Sequence, residues 1–91
     1  MSKIAENSRL IFYAEGDDAA EYIDVIEEDG EVAVIDLIVG GKREEIDEED
    51  TPAPEDTDDE TFEHDDGYVL VYNRPMERLW LYELPAVNDR I

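Results

Sequence analysis

The sequence predicts an α+β fold: a single small domain over residues 1–91, with a mostly antiparallel four- to five-stranded sheet, one helix packed on it and an acidic loop. Three observations predict it. Short apolar runs rich in β-branched and aromatic residues recur along the chain, each bounded by turn residues. One segment instead repeats its apolar residues at helical spacing. Finally, 42% apolar residues in a chain of 91 provide one modest core, at a size where about 60–65% of the unfolded surface is buried.

The elements follow in chain order. Residues 1–8 read as an N-terminal arm, and residues 9–14 (Arg-Leu-Ile-Phe-Tyr-Ala) as a strand ending at the turn Glu15-Gly16-Asp17. A helix is expected over 18–29. Asp18 is a candidate cap with Glu21 three residues on, and Ala19, Tyr22, Ile23 and Ile26 recur at i, i+3, i+4 and i+7. Gly30 suits the position after its end. Against the helix, Glu27, Glu28 and Asp29 occupy the end where the helix dipole favours cations. The rival is a hairpin over 22–37 that turns at Asp29-Gly30. Residues 31–39, apolar on both faces of an extended chain, are expected as a central strand ended by Gly40-Gly41. Residues 42–47 are expected as a charged edge strand. After the acidic stretch, residues 67–72 and 78–84 form a hairpin around 73–77. In it Tyr68, Leu70 and Tyr72 share one face, and Val69 and Val71 the other. Pro85 stops the last strand, leaving 85–91 as a loose tail.

Charge bounds the function. The chain has 28 Asp and Glu against 7 Lys and Arg, a net charge of −21. Such a chain lacks the basic residues that displace counterions from nucleic acid, and anionic membranes repel it. It has no cysteine, no apolar run long enough to span a bilayer, and no apolar signal segment near its first residues. The expected location is therefore the cytoplasm, a host's if the protein is phage-encoded. Two thirds of the net charge falls in residues 44–66, which hold fourteen acids and no base. The bland reading of this excursion is a solvated, partly disordered loop, broken at Thr51-Pro52-Ala53-Pro54. Ile46 and Phe62 are its only large apolar residues, either able to pin an end to the domain. Adaptation to high salt and use of the negative field both account for the acidity, and both stay open.

Catalytic chemistry finds little support. Carboxylates are too abundant for a pair to be informative, and acid–base work needs a carboxyl perturbed by burial or a partner. Asp36, inside an apolar run, is the candidate, with an edge position or an arginine partner as its ordinary explanation. His64, the only histidine, lies between Glu63 and Asp65, with no nucleophile motif to serve. Ser2 and Ser8 lie in the arm, outside any nucleophile motif. Asp56-Thr57-Asp58-Asp59-Glu60 opens like a calcium loop, but Thr61 stands where that loop needs Gly and Gly67 where it needs Glu. No phosphate-loop, dinucleotide or zinc spacing occurs. The expectation is a non-enzyme with no metal or cofactor. The aromatic residues are mostly core; some are expected to line an apolar contact beside the acids, with Tyr72, Trp80 and Tyr82 as candidates.

The order of elements resembles the phage uracil-DNA glycosylase inhibitors, small acidic proteins with a helix against an antiparallel sheet. In those, an edge strand with a Glu-Ser-Ile motif enters the enzyme's DNA groove, and a hydrophobic pocket takes the side chain that the enzyme inserts into the duplex. Here the corresponding stretch is Glu6-Asn7-Ser8-Arg9, with Asn7 between the acid and the serine and Arg9 in place of the isoleucine. The resemblance is one of topology over most of the chain and extends to other small acidic DNA mimics, such as anti-restriction and anti-CRISPR proteins. It implies that Glu6 and Ser8 are groove contacts.

The charge adds Glu48, Glu49, Asp50, Asp56, Asp58, Asp59 and Glu60 as partner-binding carboxylates. The expected function is a host-defence-evading inhibitor that mimics DNA in the cleft of a DNA-binding enzyme, with a uracil-DNA glycosylase as first-ranked target. It is expected as a monomer or small homo-oligomer that touches neither nucleic acid nor membrane. The alternatives are a halophile's small interaction domain, and an acidic chaperone or scaffold for basic proteins such as histones.

Overall fold

The computed structural model describes residues 8–41, 46, 50–55, 57–64 and 67–84. Its elements are β1 (Arg9–Glu15), α1 (Asp17–Asp29), α2 (Glu31–Gly41), β2 (Glu60–His64), β3 (Tyr68–Asn73) and β4 (Arg78–Glu83). The four strands form one sheet in the order β1-β4-β3-β2, with every neighbouring pair antiparallel. The α+β class holds, with two helices where the sequence predicts one.

Both helices cover one face of the sheet. Ala19, Ile23 and Ile26 of α1 and Val34, Ile35 and Ile38 of α2 pack on Ile11, Leu70, Leu79 and Leu81. The opposite face carries Leu10, Val69, Val71, Trp80 and Tyr82, with Tyr13, Ile46 and Leu84 against them. The strand alternation that places Leu70 and Val71 on opposite faces is therefore used in full, and the sheet is covered on both sides. β1 breaks this alternation. Leu10 pairs with Tyr82 and Phe12 with Leu81, so Ile11 is the extra residue of a bulge. That extra residue lets Ile11 and Phe12, consecutive in sequence, both reach the helix-side core.

The expected central strand over 31–39 is a helix instead. As a strand covered on both faces, residues 34, 36 and 38 would share one side, placing the Asp36 carboxylate in an apolar layer at high cost. As a helix, Val34, Ile35 and Ile38 turn inward while Asp36 and Leu37 face out. Asp36 is thus an exposed residue, not a buried acid. Gly30 makes the one-residue turn between the helices at φ 101°, a value that disfavours side-chain-bearing residues, and so ends α1 as the sequence predicts. The rival hairpin over 22–37 is excluded with the strand. At the other end of α1 the expected cap is not formed: Gly16 precedes the helix, Asp18 lies within its first turn, and no side chain caps it.

The acidic excursion is partly built into the sheet. β2 lies inside it as an edge strand whose exposed Glu60 and Glu63 suit an edge, since charge there deters unwanted pairing. Phe62 packs on the helix-side core and Ile46 on the opposite one, so both pin the excursion to the domain. The expected edge strand over 42–47 lies outside the described residues except for Ile46, which is not in a strand. So do residues 1–7 of the arm and the tail 85–91.

Candidate functional site

The acids that the sequence singles out scatter on this frame. Glu6, Glu48, Glu49 and Asp56 lie outside the described residues. Ser8 sits half-buried ahead of β1, and Asp50 and Asp58 are exposed. Asp59 is half-buried, and its Oδ1 accepts the Asn73 side-chain amide at 2.8 Å. Asn73 is fully buried, and its own Oδ1 accepts the Met76 backbone N–H at 3.0 Å. Asp59 therefore fastens the excursion to the β3–β4 turn. Glu60 faces Tyr72, whose hydroxyl lies 3.4 Å from it and donates to Glu31 of α2 at 3.1 Å. Burial is the first cause, and these carboxylates the next, of a Tyr72 pKa well above the ordinary phenol value.

The three aromatic candidates do not form one exposed contact. Tyr72 lies on the helix side of the sheet, whereas Trp80 and Tyr82 lie on the opposite side and are buried. Trp80 is 2% exposed and donates its indole N–H to the Pro52 carbonyl at 2.7 Å. Its ring borders an open depression of about 450 Å³ with Pro52, Asp59, Met76 and Arg78. Of the sequence candidates, Asp59 and Trp80 are thus brought together around the depression, and Glu60 and Tyr72 on the helix side of the sheet.

A second acidic surface, absent from the sequence candidates, lies on α1. Asp17, Glu21, Asp24 and Glu28 recur at i, i+4, i+7 and i+11, opposite the buried Ala19, Ile23 and Ile26. Asp18, Glu27 and Asp29 flank this ridge, so seven exposed carboxylates occupy the 13 residues of α1. At 1.5 Å per residue that is roughly one charge per 3 Å of axis, close to the ~3.4 Å per phosphate of a single DNA strand. The spacing is present in the sequence, where Asp17 reads as a turn residue, Glu21 as part of a cap and Glu28 as a dipole term.

The two flanks of the ridge differ. On one, Arg74 of the β3–β4 turn forms ion pairs with Asp24, at 3.9 Å, and with Glu27. On the other, a groove of about 270 Å³ runs between β1 and the start of α1, lined by Phe12, Tyr22, Asp18 and Glu21, with Ile46 beside them. Phe12 and Tyr22 meet edge to face with ring centroids 5.2 Å apart. Tyr13 borders the same groove and donates to Glu15 at 2.8 Å; burial, and then that bond, push its hydroxyl up to about 12.

No family model, curated protein or solved structure matches the chain. Among the described residues, no three of His, Asp and Glu converge as a metal-holding group, and no helix is long and apolar enough to cross a membrane.

Proposed function

We propose that this protein is an inhibitor that imitates DNA and occupies the DNA-binding cleft of a nucleic-acid-processing protein. The observation that carries this reading is the exposed surface of α1: seven carboxylates in 13 residues, at close to phosphate density along the axis, beside an aromatic groove. A cleft shaped to receive phosphates attracts such a ridge from a distance, raising association rates toward 10⁸–10⁹ M⁻¹s⁻¹ at low salt. Charge alone binds with little discrimination, so an apolar contact that excludes water is needed beside it. The partner is a protein with a basic cleft, met in the cytoplasm, and a uracil-DNA glycosylase is the first target to test. Adding the protein in several-fold excess to a uracil-excision assay tests it: competitive loss of excision supports the target, and undiminished excision removes it.

A second reading is a halophile's interaction domain whose acidity keeps its surface hydrated. It is favoured by the spread of exposed acids over α1, α2, the excursion and β2, well beyond one ridge. Folding separates the two. A mimic is folded at about 0.15 M salt, whereas a domain adapted to high salt needs far more to offset its self-repulsion. Circular dichroism melts across a KCl series read this directly, and a chain unfolded at the lower concentration contradicts the mimic.

A further inference from the structure

The groove beside α1 has features that a general acidic surface does not need. Its walls include the Phe12 and Tyr22 rings, and its rim carries the Asp18 and Glu21 carboxylates. Farther along the same helix, Asp24 and Glu27 already hold Arg74, while no described cation pairs with Asp18 or Glu21. The Tyr22 hydroxyl has no hydrogen-bond partner among the described residues. At about 270 Å³ the space falls below the roughly 300–1,000 Å³ of small-molecule sites, and suits one long side chain better than a cofactor.

We propose that this groove is an arginine-recognition site, which takes one guanidinium from a basic segment of the partner. Charge complementarity selects a cation, and the aromatic walls select its shape. A guanidinium is planar and weakly hydrated; it stacks on rings while its N–H fork donates to carboxylates. A lysine ammonium is compact and strongly hydrated, and gains less from an aromatic wall. In the groove Asp18 and Glu21 accept the N–H groups, and the rings pack against the guanidinium plane. This rests on the reading that the partner is basic, and names the group by which α1 grips it.

The test is an NMR titration of the full-length ¹⁵N-labelled protein with the peptide acetyl-Gly-Arg-Gly-amide and with its lysine counterpart. The expected result is a saturable set of shifts confined to Phe12, Asp18, Glu21, Tyr22 and their neighbours, with the arginine peptide bound about tenfold more tightly than the lysine one. The double variant D18N/E21Q weakens it about tenfold, whereas D24N/E27Q on the same helix leaves it unchanged. Tyr22→Leu keeps the carboxylates and loses the preference for arginine over lysine. Shifts spread evenly over the acidic surface, equal binding of the two peptides, or no shifts at the groove would overturn the proposal. Binding that appears only in K42A/R43A would also overturn it, because the groove would then belong to the chain's own bases. The titration contains no DNA-binding protein. Its failure therefore leaves the mimic standing, and failure of the excision assay leaves the groove standing.

Discussion

The indole Nε1 of Trp80 donates to the backbone carbonyl of Pro52 at 2.7 Å, joining the middle of β4 to the centre of the acidic excursion. This single bond changes what residues 44–66 are. Composition reads them as a solvated loop, yet Ile46, Pro52 and Asp59 each meet the folded domain, and residues 60–64 continue as a strand. The excursion supplies the cover for the sheet face that the helices leave open.

Removing that bond has a defined cost. Trp80→Phe keeps a ring in the core but deletes the donor, and is expected to lower stability by about 1 kcal/mol. Trp80→Ala also empties the site and should cost about 3–5 kcal/mol. Urea unfolding followed by far-ultraviolet circular dichroism measures both; equal losses would mean that the ring contributes nothing beyond its N–H.

Asn73 is the buried polar hinge of the structure. Asn73→Ala breaks its bonds to Asp59 and to the Met76 N–H together, and is expected to cost about 2–3 kcal/mol. Asn73→Asp faces Asp59 with a second carboxylate. It should be less stable than Asn73→Ala at neutral pH, and should regain stability in acid, where a protonated carboxyl again donates. Stability of Asn73→Asp that does not rise on acidification, relative to wild type, would contradict this.

The α2 helix is tested by two positions that a strand would place on one face. Ile35 is 1% exposed and Leu37 56% exposed. Ile35→Ala is expected to cost about 2–5 kcal/mol, while Leu37→Gln stays within about 0.5 kcal/mol of wild type. Comparable losses at both sites would restore the strand.

Those two residues lie in the segment where sequence and structure part. The strand over 9–14 and the hairpin of 67–72 and 78–84 follow from apolar, aromatic runs and the turn residues that bound them, and α1 follows from its period and Gly30. Residues 31–39 are ambiguous because a short apolar run has no period to distinguish strand from helix, and β-branched side chains favour the strand. The contrary signal was Asp36, whose charge a doubly covered strand cannot shelter. β2 was hidden by its acids, although Phe62 between Thr61 and Glu63, followed by Asp66-Gly67, carries a hairpin signature. The α1 ridge is less legible, because Asp17, Glu21, Asp24 and Glu28 lie apart in sequence and align only when placed around the helix.

Alkaline pH offers an independent check on Tyr13 and Tyr72. Both folded-state pKa values are raised above the ordinary 10.0, Tyr13 to about 12, so the neutral phenol is the form that the fold favours. Their stabilising contribution is complete below pH 10, and is lost as the pH rises from there through the folded-state values. Phenolate absorbance should show Tyr13 and Tyr72 ionising only well above pH 10, with stability falling over the same range. Ionisation of Tyr13 and Tyr72 at the ordinary phenol value of 10.0 would contradict their half-buried, carboxylate-facing geometry.

Carboxylates that stand in for phosphates in a DNA-binding cleft must compete with DNA, and that competition is the most direct test. Proteins retained by the immobilised chain at about 0.15 M salt are challenged with duplex DNA, and in parallel with polyglutamate of equal total charge. The account predicts that duplex releases them and polyglutamate does not. Release by polyglutamate as readily as by duplex, or by neither, would contradict it.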